Sequence, residues 1–251
     1  MKKTICVLLA VITLMTIGIQ AFAVKKQFTG KVKSGSHTYY YINGKKLKNG
    51  VYTYKGNCYK FSKNGDKLKG WYKIGKGYCL FDRKTGRRVS GKKVDGIRIK
   101  RNGFAKYSKL NYKKIRTMIK ARKILNSITK PTDTKSRKRL KCFKWVQSFP
   151  YKRFRRLRQI YKKKGWECDF ANDEFYRHAG CCVSNASSVA FLFREIGYSK
   201  VYVCHDTSHA WASMGGRIYD PLFAESKSFK KNYNAIPTDY RKNPSYKRLI
   251  G

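Results

Sequence analysis

The sequence predicts an α+β chain. An N-terminal β-hairpin repeat, a solenoid-like module, occupies residues 28–105, and a domain with a buried helix packed on an antiparallel sheet occupies 106–251. Three observations predict this. Glycines recur at Gly30, Gly50, Gly70 and Gly91, spaced by 20, 20 and 21 residues, with aromatics between them. Three later stretches carry apolar residues at helical spacing. After Gly197, three short β-branched or aromatic runs are divided by turn residues.

The first residues read as a secretory signal. Lys2 and Lys3 are followed by an uncharged apolar stretch from Ile5 to Ile19 and by Ala21-Phe22-Ala23, a small-x-small cleavage site. Residues 1–23 are therefore expected to be removed. The stretch is short for a membrane span, so no stable span is expected after cleavage. Seven cysteines follow the signal, at 58, 79, 142, 168, 181, 182 and 204, so at least one is unpaired within the chain.

Composition narrows the class. Apolar residues make up 41% of the 251, too many for a wholly disordered basic chain. Lys and Arg number 59 against 13 Asp and Glu, a formal charge of +46. Residues 135–164 hold 14 Lys/Arg and no acid, which reads as a polyanion-binding surface. Inside a cell that polyanion would be nucleic acid. Export argues against nucleic acid and favours acidic wall polymers, another anionic surface polymer or anionic lipid heads.

Within each repeat an aromatic cluster precedes a second glycine: Tyr39-Tyr40-Tyr41 then Gly44, Tyr59 and Phe61 then Asn64-Gly65, Tyr78 and Phe81 then Thr85-Gly86. A degenerate fourth unit has Ile97 and Ile99, then Asn102-Gly103. Alternating aromatics followed by Asn-Gly signal hairpins, because glycine tolerates the positive φ of a tight turn. One hairpin cannot bury its own apolar face, so the array is expected to share one continuous aromatic core. Cys58 and Cys79 occupy nearly equivalent positions, as replacements for aromatics or as a disulfide.

The stretch Gly70-Trp71-Tyr72-Lys73-Ile74 through Tyr78, Phe81-Asp82 and Gly86 resembles the cell-wall-binding, choline-binding-type repeats of Gram-positive surface proteins. The resemblance implies a cell-wall- or cell-surface-associated location. It also implies ligand sites between hairpins, with Tyr40, Tyr59, Phe61, Trp71, Tyr72, Tyr78 and Phe81 as candidates. Trp71 is the single tryptophan of the module and lysine is abundant, so a spacer or a basic wall-binding stalk is the alternative.

Past Ala105, Ile115, Met118, Ile119, Leu125 and Ile128 mark an amphipathic helix ended by Lys130-Pro131. A second basic helix is expected from about Thr134 to Phe149, with Leu140, Phe143 and Val146 on one face. Residues 151–180 show little period and read as loop. Ala186, Val189, Ala190 and Phe193 then mark a buried helix that ends at Gly197. This puts Cys182 at or near a helix N-terminus, where unpaired N–H groups favour a thiolate. Val201-Tyr202-Val203, His209-Ala210-Trp211-Ala212 and Arg217-Ile218-Tyr219 read as strands, the last two joined at Gly215-Gly216.

A nucleophilic thiol needs a base, and the base needs a partner to orient it. Cys182, His209 and Asp220 supply these three types, and a 209–220 hairpin sets His and Asp side by side. His205 is a rival base. Asp206 and Asp173 read as loop residues. Cys181, Cys182, Cys204, His205 and His209 form an alternative zinc group, but no Cys-x-x-Cys pair supports it, and no metal or other cofactor is expected. The Cys182 N–H is a natural oxyanion donor, and the indoles of Trp145 and Trp166 are candidates for the second.

Order and spacing over 180–223 resemble the transglutaminase-like superfamily of papain-type cysteine enzymes. Gly180-x-Cys182 with Ala186, Arg194 and Gly197 matches its nucleophile helix, His209-Ala210-Trp211 its His block, and Tyr219-Asp220-Pro221 its Asp block. The resemblance implies Cys182 as nucleophile, His209 as general base and acid, and Asp220 as orienting carboxylate, acting on an amide of a protein or peptide substrate through a thioester. Hydrolysis comes first and amine transfer, meaning cross-linking, second. The reading from another class is a non-catalytic wall-binding or adhesion protein with a vestigial triad.

Overall fold

A computed structural model describes residues 28–35, 37–157, 160–240 and 243–250. The expected signal segment lies outside them. Two compact units divide the chain between Leu68 and Lys69. No helix among the described residues is long and apolar enough to cross a membrane.

The first unit is built from antiparallel strands β1 (Gly30–Ser34), β2 (His37–Ile42), β3 (Lys45–Lys46), β4 (Gly50–Tyr54) and β5 (Asn57–Phe61). Lys55-Gly56 joins β4 to β5 with φ of 48° and 69°, the mirror-turn geometry that suits strand twist. Tyr40, Leu47, Tyr54, Tyr59 and Phe61 form its core. The Tyr40 ring lies 5.3 Å from Phe61 and edge-on to Tyr54 at 5.6 Å.

The second unit opens with two more hairpins, β6 (Gly70–Ile74) with β7 (Gly77–Phe81) and β8 (Lys93–Val94) with β9 (Ile97–Arg98). Trp71, Leu80, Ile97 and Ile99 share the core of the helices that follow. The expected single aromatic core is therefore not formed. The repeat period is real, but the later hairpins bury their apolar faces against helices. The turn positions also differ from expectation. The main reversals fall at Lys55-Gly56, Gly75-Lys76 and Asp95-Gly96. Asn64-Gly65, Thr85-Gly86 and Asn102-Gly103 instead precede single bridges, Phe61 to Lys67, Phe81 to Arg88 and Ile99 to Ala105, which act as short third strands.

Helix α1 (Lys109–Ile128) starts where the Ser108 hydroxyl accepts the Asn111 N–H, and buries Ile115, Met118, Ala121 and Leu125. Helix α2 (Lys135–Gln147) is capped by Thr134 and buries Cys142, Phe143 and Val146. The stretch expected to be loop contains helix α3 (Trp166–Arg177). Its buried face includes Glu167, Asp173 and Glu174, and those charges break the apolar period that would have announced it. Glu167 and Asp169 in its first turn suit the helix dipole.

Helix α4 (Cys182–Ile196) is central: 13 of its 15 residues are buried. Gly197, at φ 102°, ends it as expected. The helix lies on an antiparallel sheet of β10 (Val201–His205), β11 (Ala210–Met214), β12 (Arg217–Tyr219), β13 (Tyr233–Ala235) and β14 (Tyr246–Leu249), in the order β13-β12-β11-β10-β14. Val201 and Val203 face the main core, while Cys204, Trp211 and Ile218 form a second small core on the other face. The short helices α5 (Pro221–Ser226) and α6 (Phe229–Asn232) lie between β12 and β13 in the chain, and α7 (Pro237–Tyr240) between β13 and β14.

Candidate active site

The turn into α4 is tightly built. The Gly180 N–H donates to Pro150 O, and the Lys152 N–H donates to Gly180 O. A methyl group on Gly180 would overlap Glu174 Oε1 and Ser184 Cβ, so only glycine fits. Cys181 is the N-cap and Cys182 the first helical residue, at 1% and 5% exposure. The Cys182 N–H stands at N1, where the helix offers it no carbonyl. The Cys182 sulfur is reached by the backbone N–H groups of Ala210 and Val183. Helix α4 thus meets the sheet one residue beyond His209.

His209 is held from three sides. Its N–H donates to Asp206 Oδ1 at 2.7 Å. Its ring stacks on Phe223 at 4.0 Å. Its Nε2 lies 2.6 Å from Asp220 Oδ2, with both side chains buried. If Nε2 carries the proton donated to Asp220, Nδ1 is left as the acceptor. Asp220 is fully buried, accepts the Tyr240 O–H at 2.6 Å, and caps α5 by accepting the Phe223 N–H. Burial and then the Asp220 charge push the Tyr240 phenol up, so it stays a donor. Tyr240, Phe223 and Asp206 are site residues that sequence reasoning missed or set aside. They come from turns and short helices without periodicity, and no local signal marks them.

His205 differs. Its Nδ1 is 2.7 Å from Asp206 O, its ring stacks on Tyr161 at 3.4 Å, and its buried Nε2 has no partner. Among the described residues it meets no carboxylate, and the His–carboxylate couple belongs to His209. Asp173 is not a loop residue: it is buried in α3 and paired with Arg155 at 2.8 Å. Cys204 packs with Trp211 on the sheet face opposite α4, away from Cys181 and Cys182.

The thiol pair departs from expectation. The thiol expected to ionise easily, Cys182, shares that ionisation with its neighbour. A hydrogen bond from Cys182, then the N–H groups of Ser184 and Val183 at the helix start, lower Cys181 against the burial penalty. Cys182 is pushed up, first by that same bond and then by burial. The cap position sets the Cys181 sulfur over the N–H groups of Ser184 and Val183, while the Cys182 sulfur meets those of Ala210 and Val183. Two contacting thiols titrate as one unit, so the pair yields its first proton readily and retains its second.

Of the two indole candidates, Trp145 is half-buried against Phe149 and His178. Trp166 is buried, its Nε1 has no partner, and its ring meets Tyr161 edge-on at 5.0 Å. Trp166 therefore retains an unspent donor beside the Tyr161–His205 stack.

Among the proposed wall-ligand aromatics, Phe61, Trp71 and Phe81 are at most 1% exposed, and Tyr40, Tyr59 and Tyr78 at most 8%. Their faces are spent on packing within the protein, so none of the six presents an open ring to a ligand. Tyr72 is half-buried, with the Arg122 guanidinium 3.9 Å from its ring centre.

No protein-family model and no curated protein matches the chain. Solved structures of choline-binding repeat proteins are similar to about a third of it. CbpF in complex with ipratropium is 23% identical over 32% of this chain and 26% of its own, with a TM-score of 0.29. The choline-binding domain of Spr1274 from Streptococcus pneumoniae is 22% identical over 32% of this chain and 96% of its own, at 0.29. The Cpl-1 endolysin complexed with a peptidoglycan analogue is 17% identical over 33% of this chain and 26% of its own, at 0.29. The chain thus spans about a quarter of the length of CbpF and of Cpl-1.

Proposed function

We propose that this chain is a cell-surface cysteine enzyme of the transglutaminase-like type, carried to the wall by its basic hairpin module. The observation that supports it is the buried His209–Asp220 couple at 2.6 Å, adjoining the residue whose N–H reaches the Cys182 sulfur. In this reading Cys182 attacks an amide carbonyl and its proton passes to His209 Nδ1. Asp220 stabilises the imidazolium, and the Cys182 N–H with the Trp166 indole steadies the oxyanion. Collapse expels the amine, which takes the proton from His209, and leaves a thioester. Water or a second amine, deprotonated by His209, then releases the acyl group. Hydrolysis and cross-linking differ only in which nucleophile arrives.

Alkylation by iodoacetamide, mapped by mass spectrometry across pH, tests this. Modification of the Cys181–Cys182 pair is expected to set in at a pH well below that of Cys142 and Cys168, whose thiols burial raises to about 12. It should slow about tenfold or more in His209→Ala. In Cys181→Ala, Cys182 should react at lower pH than in the wild type, because the neighbouring charge that holds its proton is gone. A pair no more reactive than Cys58 and indifferent to His209 would leave the non-catalytic wall-binding protein as the function.

A further inference from the structure

We propose that a cleft in the second unit, walled by hairpins β6–β7 and β8–β9 and by α2 and α4, binds an oxyanion ligand with an uncharged body. Such a ligand would be a phosphate- or carboxylate-bearing molecule or repeating unit. The inference uses none of the cysteine chemistry.

The cleft encloses about 660 Å³, within the range of small-ligand sites. Lys69, Arg83, Lys84, Lys135, Lys138 and Arg194 make up half of its 12 lining residues, whereas Lys and Arg make up 59 of the 251 in the chain. The cleft is therefore about twice as rich in Lys and Arg as the chain that carries it. The one lining acid, Asp82, is occupied by its own turn, where it accepts the N–H groups of Lys84 and Thr85 and the Thr85 hydroxyl. Leu80, Val89, Val94 and Ile196 add an aliphatic floor, which suits a ligand with a neutral body better than a bare inorganic ion.

Two features bear on the positive charge. Arg83 and Arg194 are held by the buried Asp95 at 3.0 and 2.7 Å, and Arg83 also by Glu195 at 2.6 Å, so their guanidinium groups are fixed in place but balanced, and the net positive charge of the cleft comes from its lysines. Lys135 and Lys138 lie in the first turn of α2, which holds no acid. That is the wrong end of a helix for cations. The nearby Asp133 carboxylate goes to Lys141 and Arg137, not to them. An arrangement that opposes helix stability is expected where function requires it.

Calorimetric titration of the purified protein with hexyl phosphate and with hexanoate, at about 0.15 M salt where long-range attraction is screened, tests this. One saturable site is expected for at least one of the two. The better-bound anion assigns the ligand as phosphate or carboxylate. Lys135→Glu/Lys138→Glu should weaken it by about tenfold or more. The charge-matched Lys76→Glu/Lys123→Glu, on exposed positions outside the cleft, should change it by less than about twofold. The cleft variant should melt no lower than the wild type, since acids suit that helix end, so lost binding would not reflect lost folding. No saturable binding of either anion, or equal weakening by both variants, would overturn the proposal and leave only diffuse charge attraction.

Discussion

At the scale of single residues, Glu174 is the buried group with the clearest consequence. Its Oε1 accepts the Asn185 amide at 2.6 Å, while Oε2 is buried without a partner. Burial raises it from 4.5 to about 8, opposed by the Asn185 bond and reinforced by Cys181 and Asp173. Folding therefore favours the protonated acid. Its contribution is fully present below pH 4.5 and is lost as pH rises through about 8. Glu174→Gln keeps the acceptor and removes the titration. It should match the wild type in acid and exceed it by on the order of a few kcal/mol in alkali. Melting curves across pH check this, and parallel profiles would refute it. The His209–Asp220 contact and the place of Cys182 at a helix start were legible at this scale because each lies beside a turn or cap that the sequence marks. Tyr240, whose O–H completes the Asp220 shell, was not, since 20 residues separate it from its partner.

At the scale of elements, the hairpins and helices of the second unit are tied by one carboxylate. Asp95 occupies a left-handed turn position at φ 54°, where Asp is tolerated. Its buried oxygens take the Trp71 indole at 2.8 Å and both Arg83 and Arg194. Removing one partner of a buried ionic cluster leaves the others uncompensated. Asp95→Ala should cost about 3–5 kcal/mol, and Asp95→Asn, which keeps the turn, should cost less. Denaturant midpoints would show both, and a loss below about 1 kcal/mol for the alanine variant would mean the cluster is not a structural hub. The Asp95-Gly96 turn, set between apolar residues, is a local signal; its three partners are not.

For the whole molecule, two separate cores predict two separable stabilities. Phe61 is 1% exposed in the first unit's core. Phe61→Ala should remove about 3–5 kcal/mol from that unit. Hydrogen exchange should show lost protection over residues 50–61, unchanged protection over 182–219, and unaltered thiol reactivity of the Cys181–Cys182 pair. Loss of protection in both regions would mean that the chain unfolds as one.

The sequence by itself determined the repeat period, the helices α1, α2 and α4, the strands β10–β12 and the residue types placed at the thiol, the imidazole and the carboxylate. These are encoded by local spacing, caps and glycines, which act over a few residues. Only the tertiary structure decided which hairpins join the helical core, that α3 is a helix with buried acids, and that Cys181 and Cys182 share the first-turn N–H groups. Those outcomes depend on burial and on partners far apart in the chain. Glu174 beside Gly180, Asp95 beneath Arg194 and Tyr240 against Asp220 are contacts no local pattern records.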